Sequence, residues 1–292
     1  MKAGRTSSNL GGDTTIKPMT STALKQLTDE IGSSSFYLNT IVVGLDAVES
    51  GHEKPATLDI FWEPKNRQDA ARMARKFAVE AFMVRAAEAL SAYVKDISIL
   101  PRFQKIKETW DQDTGASEKL EQIANDLVAK ESYLTAGGML LISWRNRIVH
   151  DGKLTLPHHR KQILIKNAVT LSENYRNLSV DLLLNHAENQ RPTLKDASCL
   201  IAMAINLARE MDEKVHSNLG KEDVFAIICH YKLDAGIKRI LGGTADLKIP
   251  LSIERLFQTH APGLHSEFLR FFDPSGKEFL DNCSEHRRQN AS

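Results

Sequence analysis

The spacing of apolar residues constrains the fold more than any other feature of this sequence. Nearly every apolar segment repeats its apolar residues at intervals of three and four, which is typical of one face of an α-helix. The stretch from Asn66 to Ile97 is rich in alanine, lacks glycine and proline, and ends shortly before Pro101. These features favour a long helix whose core-facing stripe includes Met73 and Phe77. The sequence therefore predicts an all-α protein.

The same spacing predicts several further helices, separated by turn signals. A third helix should run from Ala116 to the region of His150, interrupted by Gly137 and Gly138. The glycine pair indicates either a kink or a place where another backbone approaches closely. Short apolar "LKIP" at 247–250 is the one candidate for a scrap of strand. The other predicted helices are Ser35–Val48, His159–His186, Ala197–Val215, Asp223–Leu241 and Leu251–His260.

Polar segments divide these predicted helices into two blocks. Residues 1–34 are rich in glycine, serine and threonine, and residues 281–292 are polar, so both predict mobile tails. The polar segment "ENQRPTLKD" at 188–196 contains a proline and is the best linker candidate. We therefore expect a four-helix block over residues 35–190 and a smaller C-terminal helical domain or extension over 193–280.

The overall charge excludes a whole-protein field that would attract nucleic acid or membrane, because the 292 residues carry a net charge of only +1. Cys199, Cys229 and Cys283 are too few and too scattered for a disulfide framework, which fits a reducing cytosol. No uninterrupted apolar run approaches the roughly 18 to 20 residues of a membrane span. The N-terminus also lacks the apolar core of a signal peptide. The sequence predicts a cytoplasmic protein with no membrane association.

One segment, "SWRNRIVHDG" at 143–152, combines chemically useful residues at the end of a predicted helix. Asn146 and His150 are four positions apart and share a helix face. Arg145 belongs to a different and otherwise apolar row with Leu141 and Val149, where an unpaired charge would be costly. Arg145 lies about 140° from His150 around an ideal helix. The two side chains are expected to converge because arginine is long and the helix ends at Asp151.

The segment that begins here is strongly basic. Between residues 145 and 166 there are six basic residues and a single acid, Asp151. A local basic patch on a nearly neutral chain is what binding to the phosphates of a nucleic acid requires. We interpret four of the basic residues as contacts to an RNA backbone: Arg147, Lys153, Arg160 and Lys161.

"RNRIVH" at 145–150 resembles the R-x4-6-H motif of HEPN domains, in the form where asparagine follows the arginine and aliphatic residues precede the histidine. The resemblance implies a HEPN-like bundle of four to five helices that forms a homodimer. It also implies a metal-independent ribonuclease without a cofactor, acting as a toxin or phage-defence effector. RNA, a second copy and an antitoxin or other regulatory protein would be its partners. Gly152 stands where one toxin subfamily has a tyrosine that its antitoxin modifies, so that mode of control is not supported.

The resemblance assigns Arg145, Asn146 and His150 to the cleavage of RNA. The 2′-OH of RNA is the nucleophile, and cleavage leaves a 2′,3′-cyclic phosphate and a 5′-OH. Histidine titrates near neutrality and suits proton transfer, whereas arginine is a permanently charged fork that grips phosphate oxygens. Asn146 would orient the phosphate or the histidine. Glu80 and Glu88 lie on the Phe77 face of the second helix and are candidates for holding Arg145 in place.

Less specific interpretations of the same residues stay open at this point. Arg145 would reach solvent at a helix end while Asn146 and His150 cap that end. Glu80 and Glu88 would then form structural ion pairs. The chain would be a HEPN-like module that binds nucleic acid or a protein without cutting. A zinc site from Cys229, His230, Cys283 and His286 lacks the paired spacing that such sites show.

Overall fold

A computed structural model describes residues 21–151, 154–244, 246–261 and 263–289 of the chain, and within these ranges it contains helices and no strand. The prediction of an all-α protein is confirmed. Single 3₁₀ turns at Pro101–Phe103 and Asp246–Lys248 precede two of the helices. The α-helices are α1 (Thr22–Glu49), α2 (Arg67–Ile97), α3 (Gln104–Lys107), α4 (Ala116–Leu127), α5 (Tyr133–His150), α6 (His158–Lys166), α7 (Ala168–Asn174), α8 (Val180–Glu188), α9 (Leu194–His216), α10 (Lys221–His230), α11 (Leu233–Gly243), α12 (Ile249–His260), α13 (Leu264–Phe271) and α14 (Lys277–Gln289).

Helix α5 lies at the centre of the protein. Every residue from Thr135 to Trp144 is buried, as expected for a helix surrounded on all sides. Helices α2, α4, α6 and α9 pack around it. Gly137 and Gly138 continue the helix without a break, and their missing side chains let neighbours approach closely. A Cβ atom at Gly137 would overlap the side chain of Met203 on α9, so the glycine pair is a packing feature and not a kink.

Helices α1 and α2 form a long antiparallel pair. Asn66 caps α2 by accepting hydrogen bonds from the backbone N–H groups of Gln68 and Asp69. Ser21 caps α1 in the same way at Leu24, so helix begins at Thr22 rather than Ser35. The predicted mobile tail over residues 1–34 is therefore wrong from residue 22 onward, and residues 1–20 lie outside the described ranges.

Several predicted long helices are divided. The third predicted helix is α4 followed by α5, and the fourth is the series α6, α7 and α8. The division between α7 and α8 coincides with Arg176 and Asn177 at φ of 52° and 56°, a left-handed conformation that cannot continue a right-handed helix. Lys232 at φ 56° likewise separates α10 from α11. The spacing of apolar side chains does not reveal single residues in a left-handed conformation, so it could not predict where these helices end.

The predicted linker does not separate two cores. Thr193 and Asp196 form a reciprocal capping box at the start of α9, so the polar residues there end one helix and begin the next. Helix α9 packs against α1, α2, α4 and α5, and its buried side chains join the same hydrophobic core. The four-helix block predicted for residues 35–190 therefore needs α9 to complete its core.

The ends of the second block also differ from the prediction. Residues 249–250 of "LKIP" begin α12 after a 3₁₀ turn, so the candidate strand is wrong. Helix α14 continues to Gln289, through most of the segment predicted as a C-terminal tail. Residues 290–292 lie outside the described ranges.

The outer face of α2 contradicts the predicted core stripe. Met73 and Phe77 are exposed, whereas Val79, Phe82 and Met83 are buried against the neighbouring helices.

Helix α1 is also long and apolar enough, by length and composition alone, to cross a membrane, and little of its apolar stretch is buried. Core helices of soluble proteins pass the same test, so this property by itself is weak evidence for a membrane. The pair α1–α2 thus carries much exposed apolar surface.

Candidate active site at the end of the central helix

The three candidate catalytic residues lie in the last two turns of α5, where the helix leaves the core and reaches the surface. Burial is complete up to Trp144, partial at Arg145 and Asn146, and lost at His150. Asp151 adopts a left-handed conformation at φ 48° and ends the helix directly after His150. The functional groups therefore lie at a rim between core and solvent, held by the most deeply buried helix of the protein.

Arg145, Asn146 and His150 form one hydrogen-bonded cluster. Nη1 of Arg145 lies 3.0 Å from Oδ1 of Asn146 and 3.4 Å from Nε2 of His150. Because a guanidinium donates and never accepts, Nε2 of His150 is the acceptor, which places the proton of a neutral ring on Nδ1. Within the described residues, the side chains of Asn146 and His150 contact Arg145 and do not cap the helix end.

Glu88 on α2 anchors the other side of the guanidinium. Its Oε1 forms an ion pair with Nη2 of Arg145. Both side chains remain partly accessible to solvent, and Nε of Arg145 is buried without a hydrogen-bond partner among the described residues. Glu80, the other carboxylate predicted to support Arg145, instead lies 3.6 Å from Lys76 on its own helix. The structure therefore brings Glu88 into the cluster and leaves Glu80 outside it.

Arg147 points away from the candidate site. Its Nη1 donates to the backbone carbonyls of Ala187 and Glu188 at 2.7 and 2.6 Å, at the C-terminal end of α8. A cation at this position satisfies carbonyl groups that have no partner within their own helix. The interpretation of Arg147 as a contact to RNA is corrected here, because its guanidinium holds α8 against α5.

Arg160 is buried, with a relative exposure of 2%. Its donors reach Oε1 of Glu121 at 2.7 Å, the carbonyl of Lys130 at 2.7 Å and Oδ1 of Asn125 at 3.1 Å. These three partners use its hydrogen-bonding capacity inside the protein, as a buried charge requires. Arg160 therefore cannot contact an RNA backbone, and the sequence-based interpretation is wrong for this residue.

The basic segment does not form a free positive surface. Nζ of Lys161 lies 2.9 Å from Oε1 of Glu188, and Nζ of Lys166 lies 3.0 Å from Oε2 of Glu131. Lys153 lies outside the described residues. The described cations of residues 145–166 thus have acidic or carbonyl partners that come from other parts of the chain. Counting charges along residues 145–166 did not reveal these ion pairs, because the acidic partners are distant in sequence and come close only when the chain folds.

A second group of titratable side chains was not predicted. Asp212 and His216 lie one turn apart on α9, with Nε2 of His216 3.7 Å from Oδ2 of Asp212. Oδ2 also accepts a hydrogen bond from the backbone N–H of Ser21 at 3.0 Å, while Oδ1 has no hydrogen-bond partner in the part of the chain that the structure describes. Burial raises the pKa of Asp212 and lowers the pKa of His216. The spacing of aspartate and histidine by four residues was the available signal.

This buried pair lines a cavity of about 40 Å³ beneath the first turn of α1. Asp96 and Tyr231 also line it, and burial raises the pKa of Tyr231. A cavity of this size holds a few water molecules, which bridge polar groups that lack protein partners. Arg145, Asn146 and His150 are not among the residues that line the cavity, and we assign it a structural role.

Metal-ligand geometry is not found where the structure can be examined. Among the side chains that the structure describes, those of residues 21–151, 154–244, 247–261 and 263–283, no three histidines, cysteines, aspartates or glutamates are grouped to hold an ion. His286 of the zinc hypothesis lies among residues whose side chains are not described. Comparison of the chain with protein-family models, with curated proteins and with solved structures found no match.

Proposed function

We propose that the protein is a metal-independent endoribonuclease of the HEPN type. The observation that supports it best is the contact of Nη1 of Arg145 with Nε2 of His150 at 3.4 Å, with Asn146 on the same nitrogen at 3.0 Å. The guanidinium of Arg145, which would bind the phosphate, and the imidazole of His150, which would accept the proton of the attacking hydroxyl, are therefore in direct contact and can reach the same phosphodiester. This is the pair of groups that cleavage by an internal 2′-OH needs.

The proposed reaction is a transesterification within RNA. Once the guanidinium of Arg145 turns from Nε2 of His150 to the phosphate, Nε2 accepts the proton of a 2′-OH, and the resulting oxygen attacks the adjacent phosphorus. The bond from phosphorus to the 5′-oxygen breaks, that oxygen takes up a proton from solvent as it leaves, and His150 afterwards returns its proton to solvent. The products are a 2′,3′-cyclic phosphate and a 5′-OH, and no water is consumed. His150 is exposed, so a substrate has access to its ring.

Arg145 stabilises the charge that develops on the phosphate oxygens. A fixed guanidinium at that position acts without reorganisation during the reaction, which is the most effective form of electrostatic stabilisation. Asn146 and Glu88 are positioning residues that hold the guanidinium from two sides. Glu88 also competes with the phosphate for Nη2, so substrate binding must share or displace that carboxylate.

The biological setting of the proposal follows the resemblance at residues 145–150. The protein would act in the cytoplasm as a toxin or defence effector, with RNA as its substrate. It would work as a homodimer and be restrained by an antitoxin or another regulatory protein. Because Arg147, Arg160 and Lys161 are paired, RNA affinity would come from the cluster itself, from Lys153, which stays a predicted RNA contact, and from surfaces beyond residues 145–166.

The test uses substrates that differ only in the proposed nucleophile. End-labelled RNA and the same sequence with 2′-O-methyl groups throughout are incubated with the protein in EDTA. We expect fragments from the RNA alone, each ending in a cyclic phosphate that resists phosphatase until it is opened by acid. Cleavage of the methylated strand, or fragments with a 5′-phosphate, would contradict the proposed reaction.

A second candidate is a helical module that binds a protein partner without cutting RNA. The exposed apolar side chains of α1 and α2 favour it, because surfaces of this kind mark protein contacts. It differs from the first in predicting no fragments under any condition. The same RNA incubation therefore separates the two candidates.

A further inference from the structure

Two large apolar side chains on successive turns of α2 are exposed, although the other side of this helix packs in the core. Met73 is 74% exposed and Phe77 is 73% exposed. Single apolar residues scattered over a surface are normal, but these two are neighbours on one helix. We call Met73 and Phe77 the α2 platform, and its position relative to the candidate active site indicates what it binds.

The platform lies on the same face of α2 as Glu88. Phe77 precedes Glu88 by eleven positions, which is three turns, so the two residues share a row of the helix. Ala81 and Val84 lie in that row between them, and neither is charged. Glu88 in turn pairs with Arg145 of α5. An uncharged row of α2 therefore connects the platform with the candidate active site.

Helix α1 does not cover this row. Arg85 pairs with Glu30 of α1, which marks the side of α2 that α1 occupies. Around an ideal helix, Arg85 lies about 60° from Glu88 in one direction and Met73 lies about 60° from Glu88 in the other. Met73 is therefore on the side of the row that faces away from α1.

Two contacts show that α5 runs antiparallel to α2. A Cβ atom at Gly138 of α5 would lie 3.4 Å from Leu90 of α2. Arg145, seven positions later on α5, pairs with Glu88, which precedes Leu90 on α2. As α5 advances, its partners on α2 step back, so the end of α5 points towards the half of α2 that carries the platform.

This arrangement places the platform a short distance from the proposed catalytic histidine. Phe77 lies about 16 Å from Glu88 along the axis of α2. His150 follows Arg145 by five positions, so it lies about 7.5 Å further along α5 in the direction of Phe77. A strand whose phosphate contacts the cluster can therefore reach the platform within a few nucleotides.

The charged residues beside the platform are paired with one another. Nζ of Lys76 lies 3.6 Å from Oε1 of Glu80, and Nη1 of Arg72 lies 3.5 Å from Oδ1 of Asp69. Because these charges cancel in pairs, this part of α2 offers little attraction to phosphates. It exposes an aromatic ring and a flexible thioether instead, and such groups pack on the flat faces of nucleobases.

The platform is small for a protein partner. An aromatic side chain contributes about 150 to 250 Å² when it is buried, so two side chains that are three-quarters exposed offer on the order of 250 Å². A stable protein interface takes about 800 Å² from each partner. An area of this size suits one or two nucleobases better.

We propose that the α2 platform stacks a base of single-stranded RNA whose backbone is bound at Arg145 and His150. In a duplex the faces of the bases are covered by their neighbours, so only an unpaired strand can use the ring of Phe77. Every base has such a face, so the platform selects unpaired RNA with little preference for sequence. The proposal deepens the proposed function and rests on it for the position of the phosphate.

Binding of a strand that cannot be cleaved by an internal 2′-OH tests the platform apart from catalysis. The probe is a fluorescein-labelled single strand with 2′-O-methyl groups throughout, and fluorescence anisotropy gives its Kd with the full chain. Phe77→Ala is expected to raise Kd about 5- to 150-fold, the range for loss of one stacked base, and Phe77→Trp should restore binding. Val169→Ala, with Val169 also 73% exposed but on α7, is the matched control and should keep the wild-type Kd.

Two further measurements separate stacking from a structural role of Phe77. The same strand annealed to its complement should bind with a Kd that Phe77→Ala leaves unchanged. In an unlabelled strand, 2-aminopurine is placed at successive positions, because its fluorescence is quenched when it stacks. At one position the quenching should appear with the wild type and disappear with Phe77→Ala.

Three outcomes would overturn the platform. They are equal Kd values for the wild type and Phe77→Ala, no binding of the single strand by the wild type, and a lower mass of Phe77→Ala in sedimentation equilibrium. The last would assign the row to a contact between copies of the chain.

The platform and the proposed function can fail separately. Loss of affinity and of quenching in Phe77→Ala, without cleavage of RNA by the wild type, would reject the proposed function and keep the platform. Cleavage of RNA by the wild type together with equal Kd values would reject the platform and keep the proposed function.

Discussion

Nη1 of Arg145 lies 3.4 Å from Nε2 of His150, although the two residues are five positions apart on α5 and diverge on an ideal helix. The contact exists because the helix ends at Asp151 and because Glu88, on a different helix, holds the opposite side of the guanidinium. Two helices that pack through the core thus define the position of one charged group.

Glu88→Gln should tighten RNA binding. The amide keeps an acceptor for Nη2 of Arg145 but removes the negative charge that competes with a phosphate. Since partly exposed ion pairs contribute little, we expect KM for RNA to fall by about two- to five-fold with kcat little changed. Steady-state cleavage of a labelled RNA at several concentrations measures both constants.

Glu80→Gln is the matched control, because Glu80 lies on the same helix and pairs with Lys76 instead of Arg145. It should leave KM and kcat as in the wild type. Equal effects of the two substitutions would show that Glu88 acts only through the general charge of α2.

The sequence predicted the helical class and the cluster well, for a common physical reason. Apolar periodicity and the spacing of Arg145, Asn146 and His150 are local properties of the sequence, and the contacts of Arg145 with Asn146 and His150 lie within one helix. The ion pair with Glu88, which holds the other side of the guanidinium, comes from α2. Ion-pair partners are not local. Glu121 and Glu188 reach Arg160 and Lys161 only through the packing of α4 and α8 against α6, which residue order does not encode in any simple pattern.

The apolar residues of α2 illustrate the other limit. Periodicity identifies a face that is apolar, but it does not say whether the same chain covers it. Met73 and Phe77 matched the spacing of a core stripe and are exposed, because α1 packs on another side of α2. An apolar row that faces the core and an apolar row that stays exposed therefore have the same sequence pattern.

Arg160→Met should destabilise the fold. The apolar side chain fills similar space but leaves Asn125 and the carbonyl of Lys130 without their donor, and it leaves Oε1 of Glu121 with His159 alone. We expect a loss of about 2 to 4 kcal/mol in the free energy of unfolding, as for other buried charges that lose one partner. Urea denaturation followed by circular dichroism measures it.

Lys166→Met provides the comparison for Arg160, since Lys166 and its partner Glu131 are both largely exposed. Its unfolding curve should superimpose on that of the wild type. A similar midpoint for both variants would mean that the network around Arg160 does not stabilise the protein.

His216 should make stability fall as the solution becomes acidic. Burial lowers the pKa of His216 in the folded state below its ordinary value of 6.5, so the unfolded chain takes up a proton first. The free energy of unfolding is therefore expected to decrease as pH falls below about 6.5, by at most about 1.4 kcal/mol per pH unit from this group.

His216→Gln removes that contribution, so its unfolding free energy should change less between pH 7 and pH 5.5 than that of the wild type. Asp212 contributes in the opposite sense, since burial raises its pKa and its ionisation disfavours folding as pH rises above 3.8. His158→Gln, at an exposed position, should keep the wild-type slope. Identical slopes for all three proteins would remove His216 as the cause.

Gly137→Ala should destabilise the protein even though alanine favours helix. The new methyl group would overlap Met203, whose Cβ lies only 3.2 Å from its position and moves only with the backbone of α9. We expect a loss of about 1 to 3 kcal/mol, typical of an overfilled core. Thermal unfolding detects this as a lower Tm.

Gly242→Ala is the control for that experiment, because among the described residues no atom beyond its own helix turn lies within 4 Å of a Cβ atom at Gly242. It should keep or slightly raise the Tm. A Gly137→Ala protein as stable as the wild type would show that α5 and α9 separate without cost.

Cleavage of labelled RNA in EDTA by the wild type, Arg145→Ala and His150→Ala tests the central claim most directly. Each variant must first show the wild-type circular dichroism spectrum, and His158→Ala serves as a control for loss of an exposed histidine. The account predicts cleavage by the wild type and by His158→Ala, and a loss of at least about 100-fold for both cluster variants, the range of general acid–base catalysis. Equal cleavage by His150→Ala, or none by the wild type, would contradict it.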